Sequence, residues 1–170
     1  MTLKSRKIEY INIGDIIPYV NNPRHNEAAI DKVASSIKEF GFNSPIILDK
    51  ENVIIAGHTR YKAAQKLKLE TVPCVYADDL TKAQVKAYRI ADNKVSEYAE
   101  WDNELLTAEL EQLKELEYSL DLTGFEDWET DNLLDSITED DLQDFFEEKE
   151  PKEKAHKKIK CPFCNGEFEQ

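Results

Sequence analysis

Residues 57–60 (Gly-His-Thr-Arg) constrain this chain more than any other segment. They join an apolar predicted strand, residues 53–56, to a predicted helix that begins near Thr59. A strand that passes through a glycine directly into a helix leaves the first N–H groups of that helix unpaired, at the positive end of its dipole. Glycine permits close approach to the backbone, and an arginine in the first turn can bind an anion through two hydrogen bonds. The segment therefore predicts a phosphate-binding turn.

The spacing of apolar residues predicts the element order βαββαβ followed by helices, which is an α+β domain with a helical extension. Strands are predicted over residues 8–17, 44–48, 53–56 and 71–77, with Pro73 near the start of its strand or on an edge. Helices are predicted over residues 27–40, 59–67, 82–98, 104–117 and 126–137, the third capped by Thr81 and the fourth by Asp102. Five leucines at helical spacing in the fourth helix pack on their own domain or form a dimer seam: Leu105, Leu106, Leu110, Leu113 and Leu116.

The net charge of −13 is concentrated in one segment. Residues 1–100 carry 15 Lys/Arg and 13 Asp/Glu, residues 101–150 carry 2 and 19, and residues 151–170 carry 5 and 3. A near-neutral front domain whose basic residues cluster can still bind nucleic acid. The acidic part is a solvated helix face, a nucleic-acid mimic or a docking surface for a basic partner. We place the domain boundaries at 1–100, 101–137, 138–155 (an acidic linker) and 156–170 (a cysteine-containing tail).

Three features point to a cytoplasmic protein. No run approaches the roughly 18 apolar residues of a membrane helix. The basic residues at the start are followed by no apolar signal-peptide region. Three cysteines make no disulfide framework, and Cys74, on a predicted core strand, is expected to be a buried small apolar residue.

The tail contains a CxxC pair, Cys161 and Cys164, with zinc-knuckle spacing. Structural zinc takes four ligands, and His156 is the one nearby candidate for a third. A second chain could complete a four-cysteine site across a homodimer. The alternative is a tail with two free thiols.

Several segments in the correct order resemble the ParB/sulfiredoxin fold, and specifically its ParB-like N-terminal domain, over about residues 8–100. They are residues 15–18 (Asp-Ile-Ile-Pro), 22–24 (Asn-Pro-Arg), 34–41, 45–47 and 55–64. Residues 89–94, 101–106 and 122–125 look like a segment of phage and mobile-element members, some of which are fused to DNA methyltransferases. This chain has no Asp-Pro-Pro-Tyr-type methyltransferase motif, so it resembles a stand-alone relative.

The resemblance implies a site for the phosphates of a nucleotide, CTP or ATP with Mg²⁺, or of DNA. Gly57 with the backbone of His58 and Thr59 would cradle phosphate, and Arg60 and Lys62 would neutralise it. Arg24 would border the site. Asp92 and Asn93 fall where chromosome-segregation ParB proteins carry a Glu-Asn pair that holds triphosphate and metal.

The chain also departs from these relatives. His58 and Thr59 replace the Glu-Arg of the ParB turn, and Ser96 replaces the arginine after the Glu-Asn pair. The nucleophilic cysteine of sulfiredoxin would fall at His58, and a histidine forms no thiolate, so the resemblance does not extend to that reaction. We expect too little folded chain after residue 100 for the helix-turn-helix domain of segregation ParB proteins, and hence no centromere binding.

The resemblance favours a DNA-associated regulator, or an accessory factor of DNA modification or packaging, of phage or mobile-element origin. A Mg²⁺-dependent NTPase or nuclease with His58 or Asp92 in its chemistry is the second hypothesis. A protein–protein adaptor that works through the acidic helices is the third. Alternatives also stay open for single residues: Arg60 could pair with Asp92 at the surface, and Lys62 could be a solvated helix residue.

Overall fold

The computed structural model describes residues 5–22 and 27–135 in full and the backbone of residues 158–160 and 167–169. The chain divides into two units, Met1–Ile137 and Thr138–Gln170, and each is described by itself. In the second unit, β5 (Lys158–Lys160) and β6 (Glu167–Glu169) form an antiparallel pair. Among the described helices, none has both the length and the apolar character that crossing a bilayer requires.

The first unit confirms the predicted α+β order. Its strands are β1 (Ile8–Asn12), β2 (Ile46–Leu48), β3 (Ile54–Ala56) and β4 (Thr71–Tyr76). Its helices are α1 (Ala29–Phe40), α2 (His58–Lys66), α3 (Lys82–Val95), α4 (Asn103–Glu115) and α5 (Asp127–Leu134). The side chains of Thr81 and Asp102 cap α3 and α4 as the sequence predicts.

The four strands form one mixed sheet in the order β1-β4-β2-β3. The β1–β4 and β2–β3 pairs are antiparallel, and the β2–β4 pair is parallel. The first strand is shorter than the predicted range 8–17. It ends at Asn12 because the Asn12 side chain accepts a hydrogen bond from the Gly14 N–H (2.9 Å) and caps a 3-10 turn.

The chain returns to the sheet at Ile17, which closes the outer edge of β3. Ile17 forms a parallel bridge with Val53, and the Ile54 N–H donates to the Ile17 carbonyl over 2.9 Å. A buried edge strand needs such a partner because its backbone groups cannot reach water. The bridge therefore holds the loop after Ile17 beside the start of α2.

The sheet is covered on both faces. Successive strand residues point to opposite faces, so Ile54 joins the cluster that Tyr61 and Ala64 of α2 cover, and Ile55 joins the cluster that contains Val85 of α3. Both isoleucines are at most 1% exposed. The helices α2 and α3 consequently lie on opposite sides of β3.

Ion pairs and hydrogen bonds link α1 to its neighbours. Lys62 and Lys66 of α2 pair with Glu27, in the turn before α1, and with Asp31 of α1. On the other side, Lys32 donates to the Gly124 carbonyl (2.7 Å), so α1 also contacts the segment between α4 and α5. The helical extension thus packs against α1 as part of the first unit.

The predicted burial of apolar residues is confirmed for Cys74 in β4 and only in part for the leucines of α4. Pro73 lies near the start of β4, before the pairing with β2 begins at Cys74. Cys74 is fully buried as predicted, and burial raises the pKa of its thiol to about 11. In α4, Leu110 is buried, but Leu105 and Leu116 are exposed, so packing on the same domain accounts for only part of the predicted stripe.

Gly57 is the residue between β3 and α2, and its φ of +101° lies in the left-handed region. A Cβ at this position would meet the Arg60 side chain and the Ile46 backbone at ordinary contact distances, so conformation is the main constraint. We expect Gly57→Ala to lower the free energy of unfolding by about 1–2 kcal/mol. Urea denaturation would measure this loss.

Gly57→Asn is the matched control, because asparagine tolerates the left-handed region and caps helices well. It should lower the free energy of unfolding by less than Gly57→Ala does. Equal losses for the two variants would show that side-chain volume at this position, and not φ, sets the cost.

Candidate phosphate-binding site

A cavity of about 300 Å³ lies at the N-terminus of α2. The end of β3, the first turn of α2, the start of α1 and the last turns of α3 enclose it. Six of the eight residues that the sequence predicts for phosphate binding line it: Gly57, His58, Thr59, Arg60, Asp92 and Asn93. The fold thus brings together a turn and a helix end that are more than 30 residues apart in sequence.

The backbone at the start of α2 has an anion-binding character. Gly57 is the N-cap and has no side-chain oxygen with which to cap the amides of the first turn. The helix is nine residues long, and the positive end of its dipole is at the turn that lines the cavity. Neutral and anionic hydrogen-bond acceptors are both favoured at such a terminus.

The last turns of α3 form the opposite wall. The Asn93 amide donates to the Arg89 carbonyl over 2.8 Å, and the Ser96 hydroxyl donates to the Asp92 carbonyl over 2.9 Å. Both bonds run to the residue four positions earlier, so these side chains lie back along their own helix. Asp92 also lines this wall and carries its carboxylate.

Arg60 is held at the cavity by backbone carbonyls. Its Nη1 donates to the carbonyls of Ser44 (2.8 Å) and Pro45 (2.6 Å). These bonds use both hydrogens of Nη1, whereas Nη2 and Nε bond no acceptor within the described residues. The guanidinium thus keeps three N–H donors and forms no ion pair with Asp92, contrary to the alternative drawn from the sequence.

The environment of Arg60 leaves its charge in place. Burial lowers the pKa of its guanidinium, and the nearby Asp92 and Tyr88 act in the opposite direction. A guanidinium remains protonated at any physiological pH. Arg60 is therefore a fixed positive charge on the cavity wall.

His58 bonds the loop that follows Ile17. The backbone N–H of Tyr19 donates to its Nε2 over 3.3 Å. A backbone N–H can only donate, so Nε2 is unprotonated and the imidazole is neutral. Burial, and then the positive charges of Arg89 and Lys62, lower the pKa of His58 below its ordinary value of 6.5.

Of the remaining predicted residues, the structure describes only Lys62. The Lys62 ammonium pairs with Glu27, and Lys62 does not line the cavity. Arg24 and the predicted zinc ligands Cys161, Cys164 and His156 lie outside the described residues. Within the described part of the chain, no three His, Cys, Asp or Glu side chains come together in a way that could hold a metal ion.

Sequence reasoning missed Arg89 and Tyr19. Arg89 is 8% exposed, its Nε donates to the Ile54 carbonyl (3.1 Å), and its guanidinium lies 3.9 Å from the centre of the Tyr19 ring. Both residues line a second, mostly apolar cavity of about 270 Å³. The available signal was spacing: Arg89 follows the buried Val85 by four positions and so occupies an apolar position of α3.

Two family models match the chain. Residues 1–94 match the ParB N-terminal domain, and residues 104–159 match the ParB-methyltransferase HTH domain. The second match agrees with the resemblance to members that are fused to DNA methyltransferases, and the expectation about the helix-turn-helix domain of segregation ParB proteins stays a prediction.

Curated relatives match about half of the chain. The ParB-like nuclease domain-containing protein YnaK of Escherichia coli (strain K12) is 38% identical over 79 residues, which are 46% of this chain and 91% of that protein. The "Probable chromosome-partitioning protein ParB" of Campylobacter jejuni is 36% identical over 98 residues, which are 55% of this chain but only 31% of that protein. This chain therefore spans under a third of the Campylobacter protein.

A solved structure has the same fold. It is the C-terminally truncated chromosome-partitioning protein ParB from Caulobacter crescentus, complexed with CTP-gamma-S. The TM-score is 0.63 at 21% sequence identity, and the similarity covers 79% of this chain and 81% of that one. At this identity the similarity establishes the fold.

The lowered pKa of His58 predicts a dependence of stability on pH. Below pH 6.5 the unfolded chain binds a proton at this histidine more readily than the folded protein does. The contribution of neutral His58 is therefore complete above pH 6.5 and decreases as the pH falls below it. We expect the difference in unfolding free energy between wild type and His58→Gln to shrink between about pH 7.5 and pH 5.5.

Urea unfolding of both proteins at several pH values tests this expectation. Glutamine does not titrate, and every other ionisable group is common to the two proteins, so the difference isolates His58. A difference that stays constant, or grows on acidification, would contradict a neutral His58 in the folded state.

Proposed function

Because the chain belongs to the ParB N-terminal domain family, we propose that it binds a nucleoside triphosphate, CTP or ATP, in the cavity at the start of α2. The observation that carries the proposal is the convergence of the Gly57 turn, the free donors of Arg60 and the Asp92–Asn93 wall on one cavity. The CTP-gamma-S in the Caulobacter relative supports the choice of ligand.

The chemistry of the wall fits a triphosphate. The first turn of α2 offers backbone N–H groups and a positive dipole end, and Arg60 adds three N–H donors and a full charge. A volume of about 300 Å³ is at the lower end of the range for small-ligand sites, enough for a polyphosphate with part of its nucleoside.

Asp92 makes Mg²⁺ part of the proposal. A carboxylate beside a triphosphate repels it unless a cation lies between them. Mg²⁺ prefers oxygen ligands and is commonly held by one or two carboxylates together with substrate phosphates. Asp92 would supply the protein ligand, and the phosphates and water would supply the rest.

The charge distribution favours a nucleotide over duplex DNA as the direct ligand. DNA binding relies on Lys and Arg side chains that neutralise many phosphates along an extended surface. Residues 104–159, which match the helix-turn-helix model, carry 19 acidic residues and 6 lysines. This composition opposes DNA contact by that segment, whereas a cavity of about 300 Å³ with Arg60 on its wall suits a small ligand.

For the biological role we assign a nucleotide-controlled accessory factor of DNA modification or packaging, of phage or mobile-element origin. The match of residues 104–159 to a domain found in ParB-methyltransferases supports the link to modification. In this role a partner protein makes the DNA contacts, and the acidic helices are the surface available for that partner. The protein would thus bind a nucleotide in its first domain and a partner protein through its acidic helices.

Arg60→Ala tests the ligand assignment. Loss of a charge-assisted contact of about 1.5–3 kcal/mol should weaken nucleotide binding roughly ten- to hundredfold. Titrations with CTP, ATP and GTP in the presence of MgCl₂, followed by calorimetry, would measure the affinity. Arg60→Lys keeps the charge but not the fork of donors and should fall between wild type and Arg60→Ala.

Lys66→Ala is the matched control. Lys66 is on the same helix as Arg60, but it forms a surface ion pair with Asp31 and does not line the cavity. Its removal takes away the same charge and should change the affinity by less than about threefold. Wild-type protein that binds short duplex DNA but none of the three nucleotides would refute the proposal.

Asp92→Asn tests the role of Mg²⁺. Wild-type affinity should fall when EDTA replaces MgCl₂, and the affinity of Asp92→Asn should depend on Mg²⁺ much less, because a neutral amide no longer repels phosphate. The same samples, assayed for phosphate release and DNA nicking, address the NTPase and nuclease alternatives. We expect no turnover, since Asp92 is the one carboxylate among the described residues that line the cavity.

A further inference from the structure

A chain of contacts runs behind the cavity from Arg89 through Tyr19 to His58. The Arg89 guanidinium is fixed by the Ile54 carbonyl (3.1 Å) and the Asp49 carboxylate (3.5 Å) and covers one face of the Tyr19 ring. The backbone N–H of Tyr19 in turn donates to Nε2 of His58 over 3.3 Å. A residue that lines the cavity is thus oriented by two residues that do not.

The residues that hold this series of contacts are themselves fixed by hydrogen bonds. The other carboxylate oxygen of Asp49 accepts hydrogen bonds from the N–H groups of Glu51 (2.9 Å) and Val53 (3.0 Å). An arginine that is 8% exposed and stacked on an aromatic ring gains both electrostatic and dispersion contacts. Tyr19 therefore has a defined position although it lies in a loop.

The hydrogen bond from Tyr19 selects one tautomer of His58. A neutral imidazole has one N–H and one lone pair. The Tyr19 N–H cannot accept a hydrogen bond, so the lone pair is on Nε2 and the proton is on Nδ1. A proton on Nε2 would bring two donors face to face.

The Nδ1 atom of His58 is accessible. Among the described residues every buried side-chain nitrogen and oxygen has a hydrogen-bond partner, and none of these residues bonds Nδ1. Nδ1 is therefore not buried, and His58 lines the cavity together with Gly57 and Arg60. A donor on a cavity-lining side chain that has no protein acceptor of its own is available to a ligand.

We propose that Arg89 and Tyr19 are positioning residues that hold His58 in the neutral Nδ1–H tautomer, in which it donates a hydrogen bond to a phosphate oxygen of the ligand. The ligand part of this inference rests on the proposed function. The inference gives a role to His58, the residue that replaces the acidic side chain of the ParB turn. It also removes His58 as a general base, because its one lone pair is occupied by the Tyr19 N–H.

The first test reads the tautomer in the ligand-free protein. Long-range ¹H–¹⁵N NMR of the full-length, ¹⁵N-labelled chain at about pH 7.5 distinguishes protonated from unprotonated ring nitrogens. The chain has three histidines, and comparison with His58→Gln assigns the signals of His58. We expect a protonated Nδ1 and an unprotonated Nε2. A protonated Nε2 would overturn the proposal.

The second test removes the contact between Arg89 and Tyr19. Tyr19→Ala keeps the backbone N–H but loses the ring on which Arg89 stacks, and Tyr19 is half-buried in a loop, so the fold should persist. We expect its His58 signals to shift toward the Nε2–H tautomer that free histidine favours in water. Tyr19→Phe keeps the ring and should match wild type. A Tyr19→Ala spectrum equal to that of wild type would refute the positioning role.

The third test uses inorganic triphosphate and CTP, each with MgCl₂, as ligands. Asparagine places an amide N–H near the position of Nδ1, whereas glutamine places its amide near the position of Nε2. His58→Asn should therefore bind within about threefold of wild type, and His58→Gln should bind roughly three- to tenfold more weakly. The opposite order would overturn the donor role.

These tests separate the inference from the proposed function. If wild type binds neither triphosphate nor CTP, then the proposed function and the donor role of His58 both fail. The tautomer of the ligand-free protein still decides the positioning role of Arg89 and Tyr19, because that measurement needs no ligand.

Discussion

The buried edge strand β3 is the constraint on which the rest of this structure depends. Both backbone groups of Ile54 face away from β2, toward the open edge of the sheet, and both are buried. The Ile54 N–H is satisfied by the Ile17 carbonyl (2.9 Å) and the Ile54 carbonyl by Nε of Arg89 (3.1 Å). A buried peptide group without a partner costs about 1–3 kcal/mol, so this edge requires both contacts. They bring the loop after β1 and the helix α3 to the start of α2, and the candidate site forms where these segments meet.

The division of charge gives the two halves of the chain different physical roles. Residues 1–100 are nearly neutral and contain the cavity, whereas residues 101–150 hold 19 acidic residues against 2 basic ones. In a chain with this net charge, an anionic ligand is stabilised where local donors are concentrated. The first turn of α2 and Arg60 are such donors. This is the physical reason to expect a small phosphorylated ligand at the cavity and a protein partner, not DNA, at the acidic helices.

Sequence reasoning succeeded for segments whose pattern is local. The helix from Ala29 to Phe40, the strand β3 and the turn at Gly57 follow from apolar spacing and from the conformational freedom of glycine, and the α+β order follows from them. It was less accurate where a side chain competes with the backbone: the Asn12 side chain ends β1 five residues early. It did not foresee the match of residues 104–159 to the ParB-methyltransferase HTH domain, because the composition of residues 138–155 suggested a linker.

The sequence by itself determined the strand–glycine–helix turn, because a left-handed residue and the unpaired amides of a helix start are properties of neighbouring residues. It also supplied Asp92 and Asn93 as candidates through resemblance. Only the tertiary structure decided that Arg60 is anchored by the carbonyls of Ser44 and Pro45, that Lys62 is paired with Glu27, and that Tyr19 bonds His58. These contacts join residues 15 to 39 positions apart, and which partner a long polar side chain takes depends on where the sheet and helices place the available acceptors.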